Sequence, residues 1–413
     1  MAVVSPCEYS CGLDVHKSSI SAAVYRSDGS FTTHRFSTLL DGLTALREWV
    51  VENRCERVLM EATGVFWIPP YMALESSVEV YVVNPLSIKY LPGRKTDTLD
   101  AVWLAEIALN GMFKASYIPP RDVREFRELT RTHRKLVEER TAHKNRIHKI
   151  LERSGIRLSG VLSDIFGKSG LLVITGLIEG KPIEQILATL HDSRILKKRD
   201  AIERAICGDL GENEVFIIQQ SLESIKHVNA QIAQYEERIL WTLARDEESL
   251  QIVTSVPGIG FKVGAVILAE IGNIRQFDGP KNLVSWAGLA PTVYESAGKT
   301  AHGHITKRGS KYLRTVLIET AQVIANGKPN RLKQFFLRIR ARKGYKMAIV
   351  ALARKVLALI YHLLINRERY LDEAGTVKTV NLPKIRPNRE MDHDEMIQLL
   401  TQAGYVVQKL NAA

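Results

Sequence analysis

Residues 10–36 read SCGLDVHKSSISAAVYRSDGSFTTHRF, and this stretch decides the fold of the first part of the chain. It contains three short runs with strand character: SCGLDV (10–15), ISAAVYR (20–26) and SFTTHRF (30–36). A Ser-Asp-Gly turn separates the last two runs, which is typical of a β-hairpin. The pattern predicts a sheet that begins with three consecutive strands, with Asp14 near the end of the first strand.

The sequence after the hairpin alternates between helix and strand. RVLMEATG (57–64) is an apolar run that follows a helical pattern and places Glu61 at the end of a strand. VEVYVV (78–83) is another buried strand, and a crossover then leads into a further helix. Three consecutive strands followed by βαβ units predict an α/β domain over residues 8–115, with a mixed sheet of the RNase H type.

Four carboxylates lie at matching places in this predicted domain. Asp14 is on the first strand and Glu61 ends a later one, whereas Asp97 and Asp100 open the next helix in RKTDTLDAVWLA (94–105). A spacing of three puts both aspartates on one helix face, where they repel each other. In an RNase H-type sheet these places meet at one edge, where four hard oxygen ligands suit a pair of Mg²⁺ ions and phosphodiester chemistry.

Each acid taken alone has a simpler interpretation. Paired aspartates on a helix are usually a solvated face or favourable partners of the helix dipole. Asp14 could cap a strand end, and Glu61 could pair with Arg57 or Lys95. The combination of four acids at suitable elements of one topology favours the metal site.

The middle of the chain is strongly helical and basic. Residues 121–157 form one long helical stretch with twelve Arg and Lys against six Asp and Glu, and a second amphipathic helix covers about 213–246. These helices predict a coiled-coil arm over 120–248, formed as an antiparallel pair or as a dimerising arm. The short segments at 158–212 predict a helical insert with glycine-containing turns.

Residues 250–365 predict a mainly α-helical third domain. SVPGIGFKVGAVILAEIG (255–272) is typical of a helix-hairpin-helix element, in which the turn around Gly258 and Gly260 can approach a DNA phosphate. Residues 299–346 hold thirteen Arg and Lys and one acidic residue. The predicted nucleic-acid contacts here are Lys299, Lys307, Arg308, Lys311 and Arg314. Residues 366–413 read as a peripheral extension.

One serine in this basic region is a candidate nucleophile. Ser296 lies in YESAGKTAHGHITKRG (294–309), among small residues and ahead of several cations. A serine in a glycine-rich, cationic loop could attack phosphorus while the cations stabilise the charged transition state. The alternative is that Ser296 only shapes a turn. Ser310 is the other candidate nucleophile in this region. We assign to it instead the N-cap of a helix over 311–325.

The overall composition indicates the type of partner and the cellular location. The chain has 413 residues, a net charge of +12 and a pI near 9.4, which predicts a polyanionic partner such as DNA. Its four cysteines lack CxxC spacing, so neither a zinc site nor a disulfide framework is expected. The sequence shows no signal peptide and no apolar run of the roughly 20 residues that a membrane span needs. A cytoplasmic protein without a membrane segment is expected.

The motifs LDVHK, MEATG and KTDTLDA, followed in order by VPGIG, WAGLAP, ESAGKT, ITKRGSKYLR and ALARKVL, resemble the DEDD-motif transposases of the Piv invertase-like insertion-sequence family. The resemblance covers roughly residues 8–365. It implies a RuvC-like first domain that binds magnesium through the four acids. It also implies that Ser296 becomes covalently joined to DNA. In many members a glycine directly follows this serine, whereas here Ala297 precedes Gly298.

The resemblance also implies partners. It implies a homo-oligomer, a dimer or a tetramer, and a structured guide RNA encoded beside the gene that pairs with target and donor DNA. Three functional hypotheses follow: a recombinase that uses the metal site and the serine, a metal-only nuclease resembling a Holliday-junction resolvase in which Ser296 is structural, and a non-catalytic nucleic-acid-binding protein. The third is disfavoured because bare carboxylates repel phosphate.

Overall fold

The chain divides into two compact units, Met1–Pro120 and Arg121–Ala413. The structure, a computed structural model, describes residues 5–62, 64–84, 97–296, 299–307, 309–372 and 376, with the backbone only at 97–99, 293–296 and 299–302. The peripheral extension predicted at 366–413 therefore lies mostly outside the described residues. The two units are described separately below.

The first unit contains a mixed five-stranded sheet in the order β3-β2-β1-β4-β5. The first three strands are antiparallel neighbours, and β4 and β5 run parallel to β1. This confirms the predicted mixed sheet, and the strand order is consistent with an RNase H-like N-terminal region. The strands are β1 (Tyr9–Val15), β2 (Ser19–Arg26), β3 (Phe31–Ser37), β4 (Arg57–Glu61) and β5 (Glu79–Val83).

Helices cover both faces of this sheet because successive residues of a strand point to opposite sides. Alternate residues of β1, including Cys11 and Leu13, join a core with Leu46 of the first helix. The intervening residues, Ser10 and Gly12, contact the third helix on the other face. The helices of this unit are α1 (Leu40–Glu52), α2 (Ile68–Leu74) and α3 (Asp97–Leu109).

Two long helices of the second unit, α4 (Arg121–Arg153) and α9 (Glu212–Leu243), run antiparallel. His133 contacts Glu236 and Arg153 contacts Glu214, so residue numbers rise on one helix as they fall on the other. This confirms both predicted long helices and places them in one antiparallel pair. The coiled-coil supercoil and the dimerising role stay predictions.

Short helices fill the segment between the two long ones, as predicted. They share a core of their own with the tips of α4 and α9, to which Ile150 and Ile218 contribute. Burial of this apolar surface stabilises helices that are too short to persist alone. The helices are α5 (Lys168–Ile178), α6 (Ile183–Ala188), α7 (Ser193–Leu196) and α8 (Arg199–Ala205).

The remainder of the second unit is a helical domain with one two-stranded hairpin. Its elements are α10 (Glu247–Ser255), α11 (Phe261–Ile271), α12 (Pro280–Trp286), β6 (Pro291–Ser296), β7 (Lys299–Ile305), α13 (Lys311–Asn326) and α14 (Arg331–Asn366). Leucines and isoleucines of α10, α11, α13 and α14 form the core. The hairpin corrects the prediction of a loop around Ser296, because the β-branched and aromatic residues of PTVYES favour a strand.

Among the described helices, α14 is long and apolar enough to cross a membrane. Its backbone is interrupted at Gly344, where φ is 78° and ψ is 173°. The apolar half that follows packs into the core of the second unit through residues such as Leu352, Val356 and Ile360. This is the behaviour of a core helix in a globular domain, and it does not indicate a membrane protein.

Candidate active site

The pairing of β1 with β4 brings the first two predicted acids together. Leu13 pairs with Met60 in a parallel register. One residue further along each strand are Asp14 and Glu61, which therefore lie side by side where two neighbouring parallel strands end. Residues at equivalent positions of parallel neighbours point to the same face of a sheet. Both carboxylates are half-buried.

Helix α3 supplies the third and fourth acids, and β1 determines where it packs. The Ser10 hydroxyl donates a hydrogen bond of 2.7 Å to the carbonyl oxygen of Ala105. A β-carbon on Gly12 would stand 2.1 Å from the carbonyl oxygen of Ala101. Moving along β1 toward Asp14 therefore corresponds to moving along α3 toward its first turn. The first turn is where Asp97 and Asp100 are located.

The electrostatics of Glu61 report on this arrangement. Burial raises the pKa of the Glu61 carboxyl above its ordinary value, and the nearby charges of Asp14 and Asp100 raise the pKa further. Asp14 also lies 3.0 Å from the imidazole of His16, measured between Oδ2 and Nε2. Asp14 and Asp100 therefore both lie close enough to Glu61 for their charges to raise its pKa.

A cluster of this kind suits a divalent cation. Carboxylate oxygens are the ligands that Mg²⁺ prefers, and a cation would offset the mutual repulsion around Glu61. Among the residues with described side chains, no group of three or more His, Cys, Asp and Glu is placed to hold a metal ion. Asp97 is not one of those residues, since only its backbone is described. The chemistry of the donors fits magnesium, and metal binding stays a prediction.

Gly12 is a packing residue next to these acids, and the sequence motifs did not point to it. It is the contact that lets α3 lie directly on β1 and so sets the distance between Asp14 and the first turn of α3. A glycine between buried Cys11 and Leu13 in a strand is the available signal, since interior strand glycines often mark close backbone approach.

The predicted nucleophile lies in the second unit. Ser296 is the last residue of β6 and pairs with Lys299, the first residue of β7. The hairpin therefore presents a serine and a lysine at its end, on either side of residues 297–298. The side chains of Ser296 and Lys299 lie outside the described residues, as does the whole of Arg308.

The segment after the hairpin is held by Arg314 and Ser310. The Ser310 hydroxyl accepts a hydrogen bond of 3.1 Å from the backbone N–H of Leu313, which confirms the predicted N-cap. The Arg314 guanidinium donates to the carbonyl oxygens of Gly309 and Ala287, at 2.9 and 3.4 Å. Arg314 therefore has a structural role in this segment, and its contact with phosphate stays a prediction.

The remaining predicted contacts differ in accessibility. Lys307, Lys311 and Gly260 are exposed. Gly258 is half-buried with φ of +80°, and a β-carbon there would stand 3.1 Å from Ile324 of α13. Glycine is therefore required at 258 by the left-handed backbone and also by the close packing against α13. The two helices of the predicted helix-hairpin-helix element are present as α10 and α11, but contact of the turn with phosphate stays a prediction.

Known proteins share both halves of this architecture. Residues 11–155 match the DEDD transposase domain of IS110-type elements, and residues 250–337 match the transposase domain of the IS116/IS110/IS902 family. The chain carries the two domains of an IS110/IS116-family transposase. The first match includes Asp14, Glu61 and Asp100, and the second includes the hairpin with Ser296.

Individual relatives of this transposase agree with the domain matches. The transposase for insertion sequence element IS1111A of Coxiella burnetii is 27% identical over 76% of this chain and 79% of its own length. A probable family 20 transposase of Pseudomonas aeruginosa is 25% identical over 74% of this chain and 83% of its own. The pilin gene-inverting protein of Moraxella bovis is 28% identical over 52% of this chain and 69% of its own.

Proposed function

We propose that this transposase cleaves and exchanges the DNA strands of its insertion sequence, using the carboxylates Asp14, Glu61, Asp97 and Asp100 together with the Ser296 hydroxyl. The convergence of β1, β4 and the first turn of α3 on one edge of the sheet carries this proposal. The similarity to a pilin gene-inverting protein supports DNA rearrangement as the overall outcome.

The four carboxylates would hold magnesium, which when bound supplies charge stabilisation at the phosphate. The protein prepares this place in two ways. The parallel register of β1 and β4 fixes Asp14 beside Glu61, and the Gly12 contact fixes the approach of Asp100. Partial burial around Glu61 removes water and so strengthens its attraction for a cation.

Ser296 would attack a phosphodiester of the element's DNA. Its Oγ forms a bond to phosphorus and loses its proton, while the bond from phosphorus to the oxygen of the displaced strand breaks and that oxygen gains a proton. A hydroxyl of the incoming strand then displaces Oγ in the reverse sense, so that the number of phosphodiester bonds is conserved. Cations such as Lys299 and Lys307 would stabilise the charge on the phosphate during both steps.

A structured guide RNA is part of this proposal, and so is a homo-oligomeric assembly. Both rest on the resemblance of the motif order to the Piv invertase-like family. The net charge of +12 supports a large polyanionic partner, and RNA and DNA backbones satisfy it equally.

The experiment expresses the gene with its native flanking DNA and amplifies the junction of the excised circular element. Wild type and Glu106→Gln are expected to give junctions, since Glu106 is an exposed acid on the same helix α3. Asp100→Asn and Ser296→Ala are expected to give none. Junctions from Asp100→Asn would refute the role of the acid cluster.

The alternative function is a metal-only nuclease in which Ser296 is structural, favoured if the side chain of Ser296 serves only the end of the hairpin. The two functions differ in their products, because a serine recombinase leaves protein covalently attached to DNA and a nuclease leaves free ends. Denaturing gel electrophoresis of labelled DNA after incubation with the protein separates them. Free DNA ends without attached protein, in both wild type and Ser296→Ala, would favour the nuclease.

A further inference from the structure

The helix α14 carries a surface of one charge that the proposed chemistry does not use. Between Glu319 and Glu368 the sequence has no acidic residue. None of the cations of this helix forms an ion pair within the part of the chain that the structure describes, and all but Lys333 are exposed. We name these residues the cationic face: Arg331, Lys333, Arg338, Arg340, Arg342, Lys343, Lys346, Arg354 and Lys355.

The interruption of α14 at Gly344 folds this face around a cleft. In a straight helix, Phe335 and Lys355 would be about 30 Å apart. Instead the Lys355 ammonium lies 4.7 Å from the centre of the Phe335 ring. The two halves of α14 therefore turn back on each other. The cleft between them has a volume of about 420 Å³, within the roughly 300–1,000 Å³ of small-molecule sites.

The lining of this cleft combines aromatic rings with positive charge. Phe335 and Tyr370 contribute the rings, while Arg331, Arg338 and Lys355 contribute the cations. The Arg338 guanidinium carbon lies 5.7 Å from the centre of the Phe335 ring. Among the described residues that line the cleft, none is acidic. The apolar floor is fixed in place, because Phe335 and Tyr370 also pack against the core of the unit.

A nucleotide with an unpaired base is the ligand that this combination fits. Its base offers a flat π-face for the rings, and its flanking phosphates offer negative charge for the cations. A nucleic-acid duplex offers phosphates but hides the faces of its bases within the stack. An acidic peptide offers charge but no obligatory planar ring.

We propose that the cleft between the two halves of α14 binds an unpaired nucleotide of a single-stranded nucleic acid. The base lies against Phe335 and Tyr370. Arg338 and Lys355 have long, exposed side chains. They can therefore move away from the Phe335 ring when the base stacks on it, and contact the flanking phosphates instead. A displaced DNA strand and an unpaired RNA segment share this chemistry. The cleft shares no lining residue with the acid cluster or with Ser296, and its occupancy is measured without strand exchange.

The experiment measures binding of the full-length protein to fluorescent single strands by anisotropy. The strands are DNA and RNA oligonucleotides of about 12 nucleotides, within the site sizes of roughly 4–16 nucleotides seen for such grooves. An abasic DNA strand of the same length and a matching duplex are compared with them. The decisive quantity is the ratio of affinity for the base-bearing strand to affinity for the abasic strand.

Phe335→Leu keeps an apolar side chain but removes the ring, and it is expected to lower that ratio about tenfold. The matched control Arg342→Gln removes a cation of the same helix outside the cleft, and it is expected to leave the ratio unchanged. If Phe335→Leu does not fold, Tyr370→Leu serves the same purpose. Arg338→Gln is expected to reduce the slope of log affinity against log salt by about 0.7 for single strands.

Three results would overturn the inference. The first is an unchanged ratio in a folded Phe335→Leu protein. The second is equal loss of duplex and single-strand binding in that protein, and the third is competition by poly-glutamate as effective as that of single-stranded DNA. Tighter binding of the RNA strand would identify RNA as the source of the unpaired base, and tighter binding of the DNA strand would identify DNA.

Discussion

Gly12 and Ala101 approach so closely that a β-carbon on Gly12 would stand 2.1 Å from the Ala101 carbonyl oxygen. The obstacle is helix backbone, which cannot rotate away as a flexible side chain does. The lack of a side chain at Gly12 therefore sets the small separation between α3 and β1. Since Asp14 is two residues further along the same strand, this separation also determines how near Asp100 comes to the Asp14–Glu61 pair.

We predict that Gly12→Ala lowers the free energy of unfolding by about 1–3 kcal/mol, because overpacking forces α3 away from the sheet. Strand exchange is expected to fall even where the protein remains folded. Gly160→Ala is the control, since a β-carbon at Gly160 meets no atom within 4 Å. Thermal unfolding of both variants and junction amplification test this. Equal melting midpoints for Gly12→Ala and wild type would contradict it.

A second prediction concerns magnesium without any activity readout. A ligand that binds only the folded protein raises its melting temperature. We expect Mg²⁺ to raise the melting temperature of wild type and of Glu106→Gln, and to have little effect on Asp100→Asn or Glu61→Gln. Removal of the metal with a chelator should bring wild type back to its original value. An identical magnesium shift in Asp100→Asn would count against the acid cluster as the binding place.

The strands of the first unit could be predicted from sequence because their burial alternates or is continuous over short runs. Glu61 was correctly placed at the end of β4, and Asp14 near the end of β1. The hairpin Pro291–Ile305 was missed because β7, KTAHGHI, is small and polar and lacks the alternation that marks a half-buried strand.

The site was predictable as a set of residue types and less so as a set of contacts. The positions of Asp14, Glu61 and Asp100 follow from the order of strands and helices. The role of Gly12 does not, because a missing side chain leaves no periodic signal. Arg314 is a second example of a contact that could not be predicted. Its charge is visible in the sequence, whereas the two carbonyl oxygens that it binds are not.

A third prediction concerns the buried charge that joins α4 to α11. Glu270 is fully buried, and Arg131 donates two hydrogen bonds to its carboxylate, at 2.7 and 2.9 Å. Glu270→Ala leaves that guanidinium without its partner and is expected to cost about 3–5 kcal/mol of stability. The partly exposed pair of Arg134 with Glu319 is the comparison, and Glu319→Ala should cost about 1 kcal/mol or less. Chemical denaturation distinguishes the two, and equal losses would refute the difference.

A fourth prediction follows from His133, which is buried between α4 and α9. Burial lowers the pKa of His133, although its contact of 3.2 Å with Glu236 opposes this effect. The unfolded chain therefore takes up a proton near pH 6.5, whereas the folded protein takes it up only at lower pH. The stability that neutral His133 contributes is present above about pH 6.5 and is lost as the pH falls through this window.

Melting temperatures at about pH 7.5 and about pH 5.5 test this prediction, since the two values bracket the ordinary histidine pKa. Wild type and the control His227→Gln, whose histidine is exposed on α9, should lose stability on acidification. His133→Gln carries no titrating group at this position and should lose less. The prediction fails if His133→Gln and wild type show the same decrease.

The last prediction separates two cations at the start of α13. Lys311 is exposed, whereas the guanidinium of Arg314 is bonded to the carbonyl oxygens of Gly309 and Ala287. Lys311→Gln should therefore leave the melting temperature unchanged and reduce the slope of log DNA affinity against log salt by about 0.9. Arg314→Gln should lower the melting temperature, because both carbonyl oxygens lose the Nη1 that donates to them. Arg314 would instead be a phosphate contact if Arg314→Gln kept the wild-type melting temperature and showed the same reduced salt slope as Lys311→Gln.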